Sequence, residues 1–415
     1  MENTKRAVNI GVIGLGSRGG PLLKVVLLPM WEHGLLNITA ICDLYPDRVE
    51  EMAIAVEEKT GKRPLCTTDW HEVVNNDNVE AVLVLSAWES HIELCIAAMK
   101  AGKFVGTEVG GAYSVYDCHR LVTAYEETGV HCMMLENCCY GRRELMVLNM
   151  VRKGLFGSIV HCDGGYMHDL RDEIVNGDIN RHYRQRNYLL RNCENYPTHE
   201  LGPIMQVLDI NRGNRMVSLN AVASCSRGLH EFAVEHRGAD SDIAKRVFAQ
   251  GDIVTTMIRC ANGETIHLVL DTTLPRIYSR GFTVRGTKGM YCQDGDYVHL
   301  DGESEFASLG SKLHNANNYE EEYEHPIWKE YSKNPIGGHD GIDWLVYNAF
   351  IESARDGVTP AIDTYDTATL MCISSLSEQS IAAGGAPVGI PDFTHGMWIE
   401  RSERPEEKSG FYSLR

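Results

Sequence analysis

The sequence predicts a two-domain α/β protein, with an N-terminal doubly wound parallel sheet and then an α+β domain on an open, mainly antiparallel sheet. Three observations predict it. Short apolar strands alternate with amphipathic helices up to about residue 140, the rhythm of a parallel sheet covered on both faces. Beyond about residue 150, strand follows strand with few helices between. A length of 415 residues also exceeds what one core organises. The expected division is 1–140, 141–400 and a polar tail over 401–415.

The apolar run 8–13 (Val-Asn-Ile-Gly-Val-Ile) leads straight into Gly14-Leu15-Gly16-Ser17-Arg18-Gly19. A helix over 21–28 and a strand over 37–42 follow, and the strand ends on Asp43. The alternation continues with helices at 47–60 and 69–75, a buried strand at 81–85, a helix at 91–101 and a strand at 104–106. A helix at 115–128 and a strand at 131–135 complete it. In the second part, 158–166, 217–224, 253–259, 265–271, 281–285, 290–292 and 297–300 read as strands, and the turn Ala261-Asn262-Gly263 makes a hairpin. Helices return at 339–355 and 366–383, whereas 302–338 and 400–415 read as polar loop and tail.

Composition narrows the function. A formal charge of -18 and the lack of any Lys/Arg run argue against nucleic acid or an anionic membrane as partner; Arg184, Arg186 and Arg191 are the densest basic stretch. Thirteen cysteines without regular spacing read as reduced thiols, not as a disulfide framework or zinc knuckles. No apolar run approaches the ~20 residues of a membrane span, and a first strand at Val8 leaves no room for a signal peptide. The expected setting is cytoplasmic. The open sheet offers a surface for a homo-oligomer.

The glycine turn carries the first chemistry. Gly14 permits the bend, Gly16 admits a pyrophosphate to the backbone, and Gly19 lets helix pack on strand, with the helix N-terminus facing the phosphates. Placed between strand and helix and followed by Asp43 at a strand end, this is a Rossmann unit. Asp43 can accept ribose hydroxyls and would repel a 2′-phosphate, so NAD is favoured over NADP despite Arg48 nearby. Three polar segments end later strands and should line the nicotinamide pocket: Ser86-Ala87-Trp88-Glu89-Ser90-His91, Thr107-Glu108-Val109-Gly110-Gly111 and Glu136-Asn137. Taken singly, each also reads as a solvated loop.

With these residues the sequence resembles the Gfo/Idh/MocA oxidoreductase family over about residues 7–390. It departs from the dehydrogenases of that family at two points. Their Glu-Lys-Pro is Glu108-Val109-Gly110 here, without the lysine, and their Asp-x-Gly-x-His is Asn195-Tyr196-Pro197-Thr198-His199. Both departures resemble glycoside hydrolase family 109, the NAD-dependent N-acetylgalactosaminidases. So do Asn137-Cys138-Cys139-Tyr140-Gly141-Arg142, Gly154-Leu155-Phe156-Gly157 and Gly164-Gly165-Tyr166-Met167-His168-Asp169-Leu170-Arg171. The longest matches are Tyr196-Pro197-Thr198-His199-Glu200-Leu201-Gly202-Pro203 and Asp209-Ile210-Asn211-Arg212-Gly213.

By that resemblance Ser17, Arg18, Asp43, Trp88, His91, Glu108, Val109 and Asn137 contact NAD, while Tyr166, Arg184, Tyr196, His199 and Tyr278 contact the sugar. It implies a redox-neutral hydrolase acting on a small-molecule glycoside. The sugar is oxidised at C3, loses its C1 substituent by elimination, takes up water and is re-reduced. His199 and Tyr196 are the catalytic candidates, because an imidazole titrates near neutrality and a phenol can relay a proton. Alone, His199 would read as a core histidine and Tyr196 as packing. His168 and Asp169 could suggest a metal, but no further ligands fall at convincing spacing, so none is expected. His339-Asp340 after Gly337-Gly338 reads as a loop reaching substrate. The alternatives are an NAD-dependent sugar or inositol dehydrogenase (a 3-oxidase), which the missing lysine opposes, and a non-catalytic NAD-binding sugar sensor, which the intact Tyr-Pro-Thr-His segment opposes.

Overall fold

A computed structural model describes residues 6–304, 308–331, 336, 339–401 and 409–414. The chain forms two units, and neither is contiguous. The first comprises Met1–Tyr140, Glu330–Ala368 and Arg404–Arg415; the second comprises Gly141–Lys329 and Thr369–Glu403. One boundary falls after Tyr140, and Glu330–Ala368 belongs to the first unit although it follows most of the second in the chain.

The first unit holds β1 (Val8–Ile13), β2 (Leu36–Cys42), β3 (Leu65–Thr67), β4 (Ala81–Val84), β5 (Phe104–Thr107) and β6 (Cys132–Met134). Their order is β3-β2-β1-β4-β5-β6, with every neighbouring pair parallel. The order reverses between β1 and β4, where open α/β sheets bind ligands beyond the strand ends. β4 is buried along its whole length, as a central strand covered on both faces must be. β3 has no sequence signal, being three residues at the sheet edge with Leu65 exposed. The first helix runs Gly19–Leu22, then loosens to a π-helical turn at Leu23–Leu27 before Leu28–Glu32; Pro29, which cannot donate an N–H, lies just beyond the loosened turn. The opposite edge, β6, is closed by side chains. Thr364 Oγ1 accepts the Cys132 N–H at 2.9 Å, and Thr367 Oγ1 accepts that of Met134 at 3.1 Å.

The second unit holds β7 (Ile159–Met167), β8 (Met216–Ala223), β9 (Ile253–Cys260), β10 (Thr265–Asp271), β11 (Thr283–Gly286), β12 (Gly289–Cys292), β13 (Tyr297–Leu300) and β14 (Val388–Gly389). They form one sheet in the order β13-β12-β11-β7-β10-β9-β8-β14. All pairs are antiparallel except β7 with β10, so the sheet is mixed. One face carries Ile266, Leu268 and Leu270 of β10 and Val254 and Ile258 of β9, all buried.

Parts of two stretches expected to be loop or tail form helices or buried contacts among the described residues. Within 302–338 lie helices at Leu309–Lys312, Glu320–Tyr323 and Pro326–Tyr331. Ionic contacts hold this polar stretch, with Arg143 paired to Glu320 and Arg142 to Glu320 and Glu324. Near the end of the chain, the buried Glu352 carboxylate accepts the N–H groups of Phe411 (3.0 Å) and Tyr412 (3.1 Å), and Leu414 is fully buried. None of the thirteen cysteines forms a disulfide, and most are buried. Among the described residues, no helix is long and apolar enough to cross a membrane.

Candidate active site

The glycine turn follows from steric necessity. Gly14 has φ +102°, and a Cβ there would lie 2.5 Å from the Leu85 carbonyl; a Cβ on Gly19 would lie 2.0 Å from the Gly14 oxygen. Ser17 is exposed, whereas Gly16 is half-buried and a Cβ there would lie 3.1 Å from Arg48 Nη1. The turn thus bares its backbone at the switch point of the sheet, with the Arg48 guanidinium beside Gly16, and it fits a dinucleotide pyrophosphate. Asp43 is buried and accepts the Leu15 N–H (2.7 Å) and the Tyr45 N–H (3.0 Å). It thus ties the turn to the end of β2, a task invisible in sequence, and a carboxylate has acceptor capacity beyond two such bonds. Arg48 lies 3.8 Å from Asp43 and over the Tyr45 ring.

A charged cluster stands behind the turn. Arg18 Nε donates to Glu108 at 3.0 Å, while its Nη1 and Nη2 donate to the two oxygens of Asp343 at 3.0 and 2.8 Å. Asn137 Nδ2 donates to the same Asp343 carboxylate at 2.8 Å, and His339 Nδ1 lies 2.6 Å from it. Burial alone would lower the Arg18 pKa, but Glu108 and Asp343 outweigh it and hold the guanidinium charged. Burial would likewise raise Asp343, yet the bonds from His339 and Arg18 keep it well below the usual carboxylate range. The Tyr347 hydroxyl is buried near these charges without a hydrogen-bond partner among the described residues, and burial pushes its pKa far up.

Trp88 and Gly110 explain each other. Gly110 has φ +152°, and a Cβ there would fall 2.4 Å from the indole Cδ1, so the buried indole lies flush on the backbone of the Glu108-Val109-Gly110 segment. The Val109 N–H donates to Glu108 Oε2 at 3.1 Å. His91 is buried, with Nε2 2.9 Å from the Ser86 carbonyl and Nδ1 3.5 Å from Thr107 Oγ1. Burial pushes its pKa down, so it braces the 86–91 segment as a neutral ring. Asp343 and Tyr347 escaped the sequence reading, which took His339-Asp340 for a substrate loop. His339 instead caps the Asp343 cluster, while Gly337 and Gly338 lie outside the described residues.

The second unit gathers all five residues expected at the sugar. Tyr166 on β7 stacks on Tyr196 with ring centres 4.2 Å apart. His199, in the first turn of the helix Thr198–Val207, stands edge-on to Tyr196 at 4.7 Å and to Tyr166 at 5.3 Å. Arg184 lies 5.2 Å from the Tyr196 ring centre and pairs with Glu173; burial opposes its charge, but Tyr183 and Glu173 hold its pKa above the usual range. Tyr278 is half-exposed and meets the edges of Tyr166 and His168. His168 is a missed member. Its Nδ1 lies 3.0 Å from the Tyr166 hydroxyl, and burial with nearby Arg184 lowers its pKa. Asp169 turns instead to Arg171, at 2.9 and 2.7 Å.

Close packing and a clamped loop set this geometry. A Cβ on Gly164 of β7 would lie 2.5 Å from the Glu200 Cβ, so a glycine lets the His199 helix settle on the strand that carries Tyr166. The segment before Tyr196 is pinned by Ser377 Oγ, which accepts the Glu194 N–H at 2.9 Å, and by Ser374, whose hydroxyl donates to the Glu194 carbonyl at 2.7 Å. The Glu194 carboxyl is buried, and burial pushes its pKa up to about 8, a hydrogen bond from the Tyr196 N–H opposing with a smaller effect.

Two family models match the chain. Residues 140–400 match the family model "Glycosyl hydrolase 109, C-terminal domain", and residues 8–136 match "Oxidoreductase family, NAD-binding Rossmann fold". An alpha-N-acetylgalactosaminidase of Tannerella forsythia is 39% identical over 95% of this chain and 88% of its own length. A glycosyl hydrolase family 109 protein of Parabacteroides distasonis is 38% identical with the same coverage. Among solved structures, a levoglucosan dehydrogenase in complex with NADH superposes at a TM-score of 0.68, covering 93% of this chain and 100% of that one; at 18% identity this shows a shared fold.

Proposed function

The chain belongs to glycosyl hydrolase family 109, and from that premise we propose that it cleaves terminal N-acetylgalactosamine or a related hexosaminide by a redox-neutral route. It is a glycosidase with an NAD-binding Rossmann domain. One observation carries the finer reading: stacked Tyr166 and Tyr196 with His199 edge-on to both, a platform for a sugar ring beside a proton-transfer pair. The printed name of the Tannerella forsythia relative supports the hexosaminide as substrate.

In this reading the turn Gly14–Gly19 receives the pyrophosphate and Asp43 the ribose, while Arg18, Trp88, His91, Glu108, Val109 and Asn137 shape the remainder of the cofactor site. Bound NAD supplies a transient oxidation at the sugar C3, which acidifies the C2 proton and is reversed before product leaves. His199 takes the C2 proton, and the Tyr196 phenol serves the departing oxygen at C1. Arg184, held by Glu173, orients the sugar against the Tyr196 ring, and Tyr278 covers it from the half-exposed rim. Val109 stands where related dehydrogenases carry their lysine, which favours cleavage over net oxidation. The reading includes a homo-oligomer in the cytoplasm, with exposed Val222 and Met257 of the open sheet on the associating surface.

The test is turnover of nitrophenyl hexosaminides in D₂O without an added electron acceptor. Release of nitrophenol, deuterium at C2 of the sugar and no accumulating NADH is the expected result. Steady growth of NADH without nitrophenol would overturn it. His199→Ala should abolish turnover while NAD still binds.

A further inference from the structure

We propose that Asp343 is the positioning residue of the cofactor site, setting the guanidinium of Arg18 and the amide of Asn137 before NAD arrives. The inference rests on the reading above that Arg18 and Asn137 face the cofactor. Asp343 itself touches neither cofactor nor substrate in this reading and acts through those two.

Asp343 sits in the first turn of the helix Ile342–Asp356 and is buried, with 1% of its surface exposed. Its two oxygens take both Nη atoms of Arg18 and the Asn137 amide, and His339 closes the remaining side. A bidentate fork fixes the guanidinium plane as well as its place, and Glu108 holds Nε from the other direction. Most of the five N–H donors of Arg18 are thereby committed, so the side chain cannot swing between rotamers. An acid in a first helical turn is also favoured by the helix dipole. Such a site loses little conformational freedom on binding, because its ordering is complete beforehand. Without Asp343, Arg18 would keep only Glu108 as a strong partner and Asn137 would lose its anchor.

The experiment measures NAD affinity of the full-length protein by titration calorimetry, alongside the fluorescence anisotropy of bound NADH. The variants are Asp343→Asn, Arg18→Met and the double replacement. Asp343→Asn should weaken NAD binding about tenfold, yet by less than about twofold once Arg18 is already Met. A merely structural Asp343 would weaken binding equally in both backgrounds, and that result would overturn the proposal. Unchanged or tighter binding in Asp343→Asn, with Arg18→Met weakened, would overturn it too, tighter binding meaning that Asp343 competes with the cofactor for Arg18. Unchanged binding in Arg18→Met would instead refute the assignment of Arg18, and with it this proposal. Melting curves without NAD monitor folding. Should Asp343→Asn unfold, Asp343→Glu keeps the charge at a shifted position: affinity between the wild type and Arg18→Met supports the proposal, and full wild-type affinity refutes it.

Discussion

Replacing Glu194 by Gln should stabilise the protein, by an amount that grows with pH. In the folded chain its carboxyl is buried, with the Tyr196 N–H offsetting little of the burial, and its pKa stands at about 8 instead of the usual 4.5. Between those values the unfolded chain ionises and the folded one does not, so the folded state binds more protons and loses relative stability as pH rises. The penalty is absent below the unfolded pKa, and at about pH 7 it amounts to some 2.5 pH units at about 1.4 kcal/mol each, or about 3 kcal/mol. It levels off near about 5 kcal/mol once the folded carboxyl also ionises. Glutamine has the shape of the protonated acid and cannot ionise, so it removes the pH-dependent part. The assay is urea unfolding of both proteins at several values between about pH 5 and pH 8. The two midpoints should lie close together at the acid end and separate steadily toward the alkaline end. A gap that stays constant with pH, or a variant less stable throughout, would refute the reasoning.

Two further replacements probe the packing that shapes the site. Gly110→Ala must push the buried Trp88 indole aside; we expect a loss of about 2 kcal/mol in denaturant melts and weaker NAD binding in titration. Wild-type values for both would show that the indole does not need the bare backbone. Gly164→Ala meets the Glu200 Cβ, which is close to the helix backbone and cannot swing away, so the helix bearing His199 should shift off β7. Glycosidase kcat should fall at least about tenfold while NAD affinity holds, and an unchanged kcat would show that the helix tolerates the shift.

What could be read in advance divides along physical lines. The long strands of both sheets were legible because apolar periodicity is local: Val8–Ile13 and Ala81–Val84 announce themselves as continuous runs. The glycine turn was legible because its glycines are sterically obligatory. The sugar-side residues were legible only through family resemblance; nothing local marks Tyr166 as the partner of Tyr196, thirty residues away. Asp343 was not legible at all. It is an acid among the apolar residues Ile342, Trp344, Leu345 and Val346 at the start of a helix, and its meaning comes from Arg18, 325 positions earlier in the chain. Glu194 illustrates the same limit, since a buried acid and an exposed one are spelled alike. Short elements such as β3, and helices held by ion pairs such as Glu320–Tyr323, lack the apolar period that reveals longer ones.

The composition of the first unit sets a timetable for its biosynthesis. Its parallel sheet is translated within the first 140 residues, but the threonines that close β6 and the aspartate behind the glycine turn emerge only after the second sheet has been made. Glu352 waits longer still for the backbone of Phe411 and Tyr412. A nascent chain halted near residue 140 would present an open strand edge and an Arg18 without its principal counterion. Excised alone, that segment should make a poor dinucleotide-binding module, because residues several hundred positions further along complete the unit that its strands begin.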